Sequence, residues 1–153
     1  MGGMVERAGN ARVCQLMLPP ADEALVASPT WTVGSGRRGD LGQPVSLVMA
    51  LEQQPAARHA QMIDDHREVL VGVTVLAEAV LADSAWDAPQ RRGVGYNVVL
   101  FAAELASALR SPLLTRDVDA DARRECTEAV MAATLAAAGC LAATILEHQA
   151  GQG

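Results

Sequence analysis

From residue 44 onward, apolar side chains recur every three or four positions, and that spacing predicts helices. A short helix is expected over residues 45–54, with Pro44 at its first turn and Pro55 at its end. A second is expected over about 57–83. Met62, His66, Val69, Leu70, Val73, Ala77, Val80 and Leu81 lie on one face of it, and Val71 and Val75 add a second apolar strip. A helix covered on two sides suits the middle of a bundle. Residues 84–89 read as a turn. A third helix then runs to about Arg110, with Val94, Val98, Phe101, Ala102, Leu105 and Leu109 on one face. Gly93 and Gly95 weaken its first turns, so its start is expected anywhere from the turn to Tyr96. Ser111–Pro112 stops it. The fourth begins near Asp117 or Asp119, where Asp117, Asp119 and Asp121 supply a cap and favourable charge for its dipole, and ends near His148.

Residues 129–146, AVMAATLAAAGCLAATIL, are the most distinctive stretch: 18 residues without a charge, built mostly of alanine. Ala129, Ala132, Ala133, Ala136, Gly139, Cys140 and Ala143 form a small-residue ridge and are the expected interaction face, either within the bundle or against a second copy. A glycine in mid-helix costs about 1 kcal/mol relative to alanine, so a close approach at Gly139 is the expected compensation. Alanine buries little apolar area, so helices packed through it must lie close together or gain area from another subunit.

Residues 1–43 differ in character. Gly, Pro and Ser are frequent and periodicity is poor, so an irregular N-terminal arm is expected there, with the helical domain over 44–150. Residues 12–18 and 30–33 are candidates for short strands. Gly34-Ser35-Gly36-Arg37-Arg38-Gly39 spells a phosphate-loop pattern, but Pro44 follows and no helix opens within it to receive a phosphate. A chain of 153 residues is one domain by size, with a real core. The fold class expected is all-α: a small bundle of three long helices and one short one.

Composition narrows the function classes. The net charge of −6 argues against a general nucleic-acid binder. All 12 basic residues are arginine, which fits a GC-rich bacterial or phage source. Cys14, Cys126 and Cys140 have neither zinc nor disulfide spacing and read as small buried hydrophobes in a reducing, cytoplasmic setting or an assembled particle. Residues 129–146 reach the lower length limit of a membrane span, yet acidic residues bracket them (Glu125, Glu128, Glu147) with no aromatic belt, so a buried helix is expected instead.

Candidate chemistry is sparse. His59, Asp65, His66 and Glu68 form the richest polar cluster and the candidate metal site. Seven residues separate the histidines, about 10.5 Å along one helix, where a helical metal pair wants three or four. The run DDHREVL resembles one helix of a hemerythrin-type bundle, but the further histidine ligands that family needs are missing. No arrangement suggests a nucleophile and its base. Folding the second and third helices about Asp87, and the third and fourth about Leu113, pairs Glu78 with Arg92 and Glu104 with Arg123 as structural ion pairs. It also leaves the last helix overhanging beyond about residue 136. The function expected is a non-enzymatic helical interaction or assembly subunit, acting as a homo-oligomer or with a protein partner and without a cofactor. The alternative is a metal- or ligand-binding bundle, possible as an enzyme, built on the His59 cluster.

Overall fold

The computed structural model describes the backbone of residues 14–17, 30–33 and 43–152, and side chains from residue 45 onward except those at 143, 144, 147, 148 and 152. Three short strands, β1 (Cys14–Met17), β2 (Thr30–Val33) and β3 (Gln43–Val45), form an antiparallel sheet in that order. Cys14 pairs with Val33, and Trp31 with Val45. Thr30, Trp31, Thr32 and Val33 are residue types that favour a pleated strand. Pro44 is tolerated because β3 is an edge strand, where one missing amide donor need not break a ladder. The two candidate strands are present as β1 and β2. The loop 34–39 and the pair Arg37–Arg38 lie outside the described residues.

Four helices follow: α1 (Leu47–Glu52), α2 (His59–Ala82), α3 (Ala88–Leu109) and α4 (Ala120–Gln152). They make the small all-α bundle that the spacing predicts. α1 begins two residues later than expected because Val45 is held in β3; Ser46 then caps it, accepting from the Met49 amide at 3.3 Å. A 3-10 turn at Ala56–Arg58 joins it to α2.

α3 begins at Ala88, not as late as Tyr96. Asp87 accepts from the Gln90 amide at 2.8 Å, and Gln90 Oε1 accepts from the Asp87 amide at 3.1 Å. This reciprocal pair satisfies two otherwise orphaned donors, and Pro89 presets the first turn, so the start survives Gly93 and Gly95. Asp87→Ala is expected to cost about 1 kcal/mol. A thermal melt should show a midpoint lower by roughly 2–4 °C, with Asp87→Asn close to wild type. α4 is capped by Asp119, whose carboxylate accepts from the Ala122 amide at 2.8 Å.

The core is built on Leu47, Leu51, Ile63, Leu70, Phe101 and Leu105, with Phe101 the largest buried side chain. The fully buried groups that α4 brings to this core are small, Cys126, Ala129, Ala133, Ala136, Ala137 and Cys140, with Val130 packed partly buried against it. α4 packs against both α2 and α3, running antiparallel to α3. α3 and α4 come close together at Gly95 of α3. A Cβ placed there would lie 3.1 Å from the Cys140 Cβ and 3.3 Å from the Ala137 carbonyl oxygen. At Gly139 a Cβ would meet only the tip of the Leu81 side chain, at 2.9 Å. The compensating close approach expected at Gly139 is therefore supplied at Gly95.

This register corrects the overhang. With Gly95 level with Cys140, the chain reverses near Val118 rather than Leu113. Ala77 lies beside Cys140, whose Sγ is 3.7 Å from the Ala77 carbonyl. α2 therefore accompanies α4 to about Ile145, and only the last two turns run past the α2–α3 corner. α1 cannot cover them, because it packs on α3 near Glu104, at the other end of the bundle.

Candidate functional site

The candidate metal residues do not converge. His59 is buried, and its Nε2–H donates to the Leu51 carbonyl at 2.6 Å and the Gln54 carbonyl at 3.0 Å. It thus satisfies carbonyls left open where α1 ends. His66 is fully buried one turn pair further along, and its Nε2–H donates to the Phe101 carbonyl of α3 at 3.0 Å. Its ring lies tilted against the Phe101 ring at 5.4 Å. Burial pushes the His66 pKa down to about 4, with the Phe101 bond opposing. The ring is therefore neutral at pH 7. Asp65 accepts from Gln61 at 2.9 Å on the same helix, and Glu68 is exposed. Among the described residues, no three His, Cys, Asp or Glu side chains are grouped to hold a metal ion. The two histidines share a face, as their spacing predicts, but each fastens a different neighbouring helix.

The expected ion pairs are also replaced. Glu78 and Arg92 are both exposed and form no ion pair with each other. Glu104 instead turns to α1, where its Oε1 accepts from the Leu47 amide at 3.0 Å. Its Oε2 is buried without a hydrogen-bond partner. Burial pushes the Glu104 pKa up to about 7, and the Leu47 bond holds it from rising further. Arg123 reaches the Thr115 carbonyl at 3.4 Å. The shifted reversal explains the miss: α4 residues level with Glu104 lie about two turns beyond Arg123. Cys126 and Cys140 are buried free thiols, and burial raises both pKa values, so neither is an activated nucleophile. A cleft between the starts of α2 and α4, lined by Ile63, Asp64, Asp117 and Cys126, encloses about 90 Å³. That is well short of the roughly 300 Å³ at which ligand pockets begin.

Among the described residues, a further candidate is the surface of α4. Of the expected face, Ala129, Ala133, Ala136 and Cys140 are buried and Gly139 half-buried against α2 and α3. Ala132 is exposed, and the Ala143 side chain lies outside the described residues. The ridge is thus mainly an internal packing surface. The large apolar side chains point the other way: Met131 is 61% exposed, Leu135 73%, Ile145 57% and Leu146 65%. Ala138 and Ala142 are exposed between them. Thr134, on the same exposed side, donates its hydroxyl to the Val130 carbonyl at 2.7 Å, so it asks little of a solvent or partner.

Isolated exposed leucines are ordinary, but a contiguous row of large ones over small ones is not. Close contact at Gly95 favours small side chains at the fully buried positions of α4, and most of its large ones are left outside. By length and composition alone, residues 120–142 could also cross a membrane, with a mean hydropathy of 1.2. Comparison with protein-family models finds no match to this chain, and neither curated proteins nor solved structures give one. Among the described residues, the fold is a small all-α bundle whose last helix carries an outward row of apolar side chains.

Proposed function

We propose that this protein is a non-enzymatic helical interaction subunit that assembles with other protein through the outer face of α4. The observation that carries this reading is the outward row Met131, Leu135, Ala138, Ala142 and Ile145, which is uncharged; the charged residues of α4 flank the stretch 129–146, most of them before it and Glu147 after it. Removing such a row from water is the principal source of free energy in protein association. The histidines support the same reading, since both are engaged with backbone carbonyls that hold the bundle together.

Leu135→Glu tests it. Leu135 is exposed in the single chain, so its replacement should leave the thermal midpoint of the isolated bundle nearly unchanged. Light scattering across a concentration series should show a defined oligomer for the wild type, and for the variant a dissociation constant raised at least tenfold. In an extract of its own cells, the wild-type chain should migrate above monomer size and the variant should move toward it. A monomer in both experiments, unaltered by the substitution, overturns the reading.

A further inference from the structure

We infer that the partner on the outer face of α4 is a second copy of this chain, docked antiparallel through α4 about a two-fold axis near Cys140; this rests on the assembly reading above. Met131, Leu135, Ala138, Ala142 and Ile145 are spaced alternately by four and three, and Gln149 continues the series. That is the repeat of a two-helix seam, in which successive knobs meet a partner helix at a period of 3.5 residues. In an antiparallel pair, each of the two alternating seam positions packs against the other kind. One register matches the side chains by size. Leu135 meets Ile145 of the second copy, Ala138 meets Ala142, and Met131 meets Gln149. Large side chains then flank a centre of alanines, where the helices can approach closely.

Charge selects the same orientation. Continued toward the start of α4, the seam reaches Glu128 and Arg124. A parallel, in-register pair would set Glu128 against Glu128 and Arg124 against Arg124. The antiparallel register sets Glu128 against Gln152, so no like charges meet in the seam between residues 128 and 152. Shifting the antiparallel pair by one heptad toward the start of α4 would set Glu128 against Ile145, burying a carboxylate on an apolar side chain.

The overhang gives a third argument. The last two turns of α4 run beyond the α2–α3 corner, with Ile145 exposed at the corner and Leu146 exposed past it. In the antiparallel pair they lie along residues 128–135 of the second copy, a stretch already backed by its own bundle. In a parallel pair the two overhangs would meet only each other. The inner face of α4 is occupied by α2 and α3, so the two bodies sit on opposite sides of the seam and do not compete for space. A bilayer would instead surround α4, which requires α2 and α3 to leave its inner face.

Cysteine cross-linking reads the orientation directly. Leu135→Cys and Ile145→Cys are made separately, each with Cys14→Ser, and the Cys14→Ser chain sets the background from the buried Cys126 and Cys140. Each variant is oxidised alone and as an equal mixture. In the antiparallel pair, residue 135 lies opposite 145 but about 15 Å along the axis from its own counterpart, too far for a disulfide. The mixture should therefore yield a covalent dimer joining Leu135→Cys to Ile145→Cys, and each variant alone only background. Self-cross-linking of each variant, without the mixed product, would show a parallel pair; it would overturn this inference while leaving the assembly reading intact. A purified chain that is monomeric at every concentration, yet found in a larger complex in its cells, would likewise overturn the second copy and keep the reading. Flotation of the wild-type chain, but not Leu135→Glu, with anionic phospholipid vesicles would assign the face to a membrane and overturn both.

Discussion

Gly95→Val is expected to destabilise the bundle by about 3 kcal/mol, whereas Gly139→Ala is expected to be neutral or stabilising. Both glycines sit within helices, where each costs about 1 kcal/mol relative to alanine by propensity alone. Their surroundings differ. Around Gly95 the first atoms met are the Cys140 Cβ at 3.1 Å, the Leu141 Cγ at 3.2 Å and the Ala137 carbonyl oxygen at 3.3 Å. A carbonyl oxygen and a Cβ move only with their helix, so any added side chain must push α3 and α4 apart. Valine adds two methyl groups to that demand, and separation would disturb the whole line of alanine contacts along α4. Around Gly139 the obstacle is the Leu81 Cδ1 at 2.9 Å, the free end of a partly exposed side chain. Leu81 can change rotamer at small cost, and the gain in helix propensity then dominates. Thermal melts should place Gly95→Val roughly 6–12 °C below wild type and Gly139→Ala at or above it. The reverse order would show that Gly139, not Gly95, sets the distance between helices.

This contrast explains what the sequence makes legible. The lengths of α2, α3 and α4 follow from apolar spacing, which depends only on each helix having one side to bury. The capping box at Asp87 and Gln90 was also readable in principle, and it would have placed the start of α3 correctly. What periodicity cannot supply is the register between helices. On α4 it marks two apolar rows, Ala129–Ala133–Ala136–Cys140 and Met131–Leu135–Ala138–Ala142–Ile145, both spaced by threes and fours. Side-chain size alone would send the second row inward. The close approach at Gly95 reverses that choice, and Gly95 can be placed beside Cys140 only once the chain is known to reverse near Val118. The misassigned partner of Glu104 has the same origin. The roles of His59 and His66 were hidden for a related reason: their partners are carbonyls of α1, its exit loop and α3, and a backbone oxygen leaves no mark in a sequence.

Removing the Glu104 carboxylate is expected to steepen a pH dependence that the wild-type chain partly offsets. His66 has a folded pKa of about 4 against an ordinary value of 6.5. Its folded value is depressed, so its contribution is fully present above pH 6.5 and is lost as the pH falls toward 4, by about 3 kcal/mol in all. Glu104 has a folded pKa of about 7 against an ordinary 4.5. Its folded value is raised, so its contribution is fully present below pH 4.5 and is lost as the pH rises through 7. Glu104 is only half-buried as a residue, and solvent screening reduces the loss to about 1–2 kcal/mol. Between pH 4.5 and 6.5 the two slopes have opposite signs, and Glu104 offsets about half of the wild-type loss on acidification. Glu104→Gln stays neutral throughout and keeps an oxygen to accept from the Leu47 amide. Urea unfolding should therefore give the variant the wild-type stability near pH 4.5 and about 1–2 kcal/mol more at pH 7.5, with a steeper fall on acidification between. His66→Gln should show the opposite slope: a lower stability at pH 7.5 that recovers relative to wild type as the pH drops. Parallel curves for wild type and Glu104→Gln across this range would mean that Glu104 is ionised in the fold at all of these pH values, and that its buried Oε2 finds a partner there.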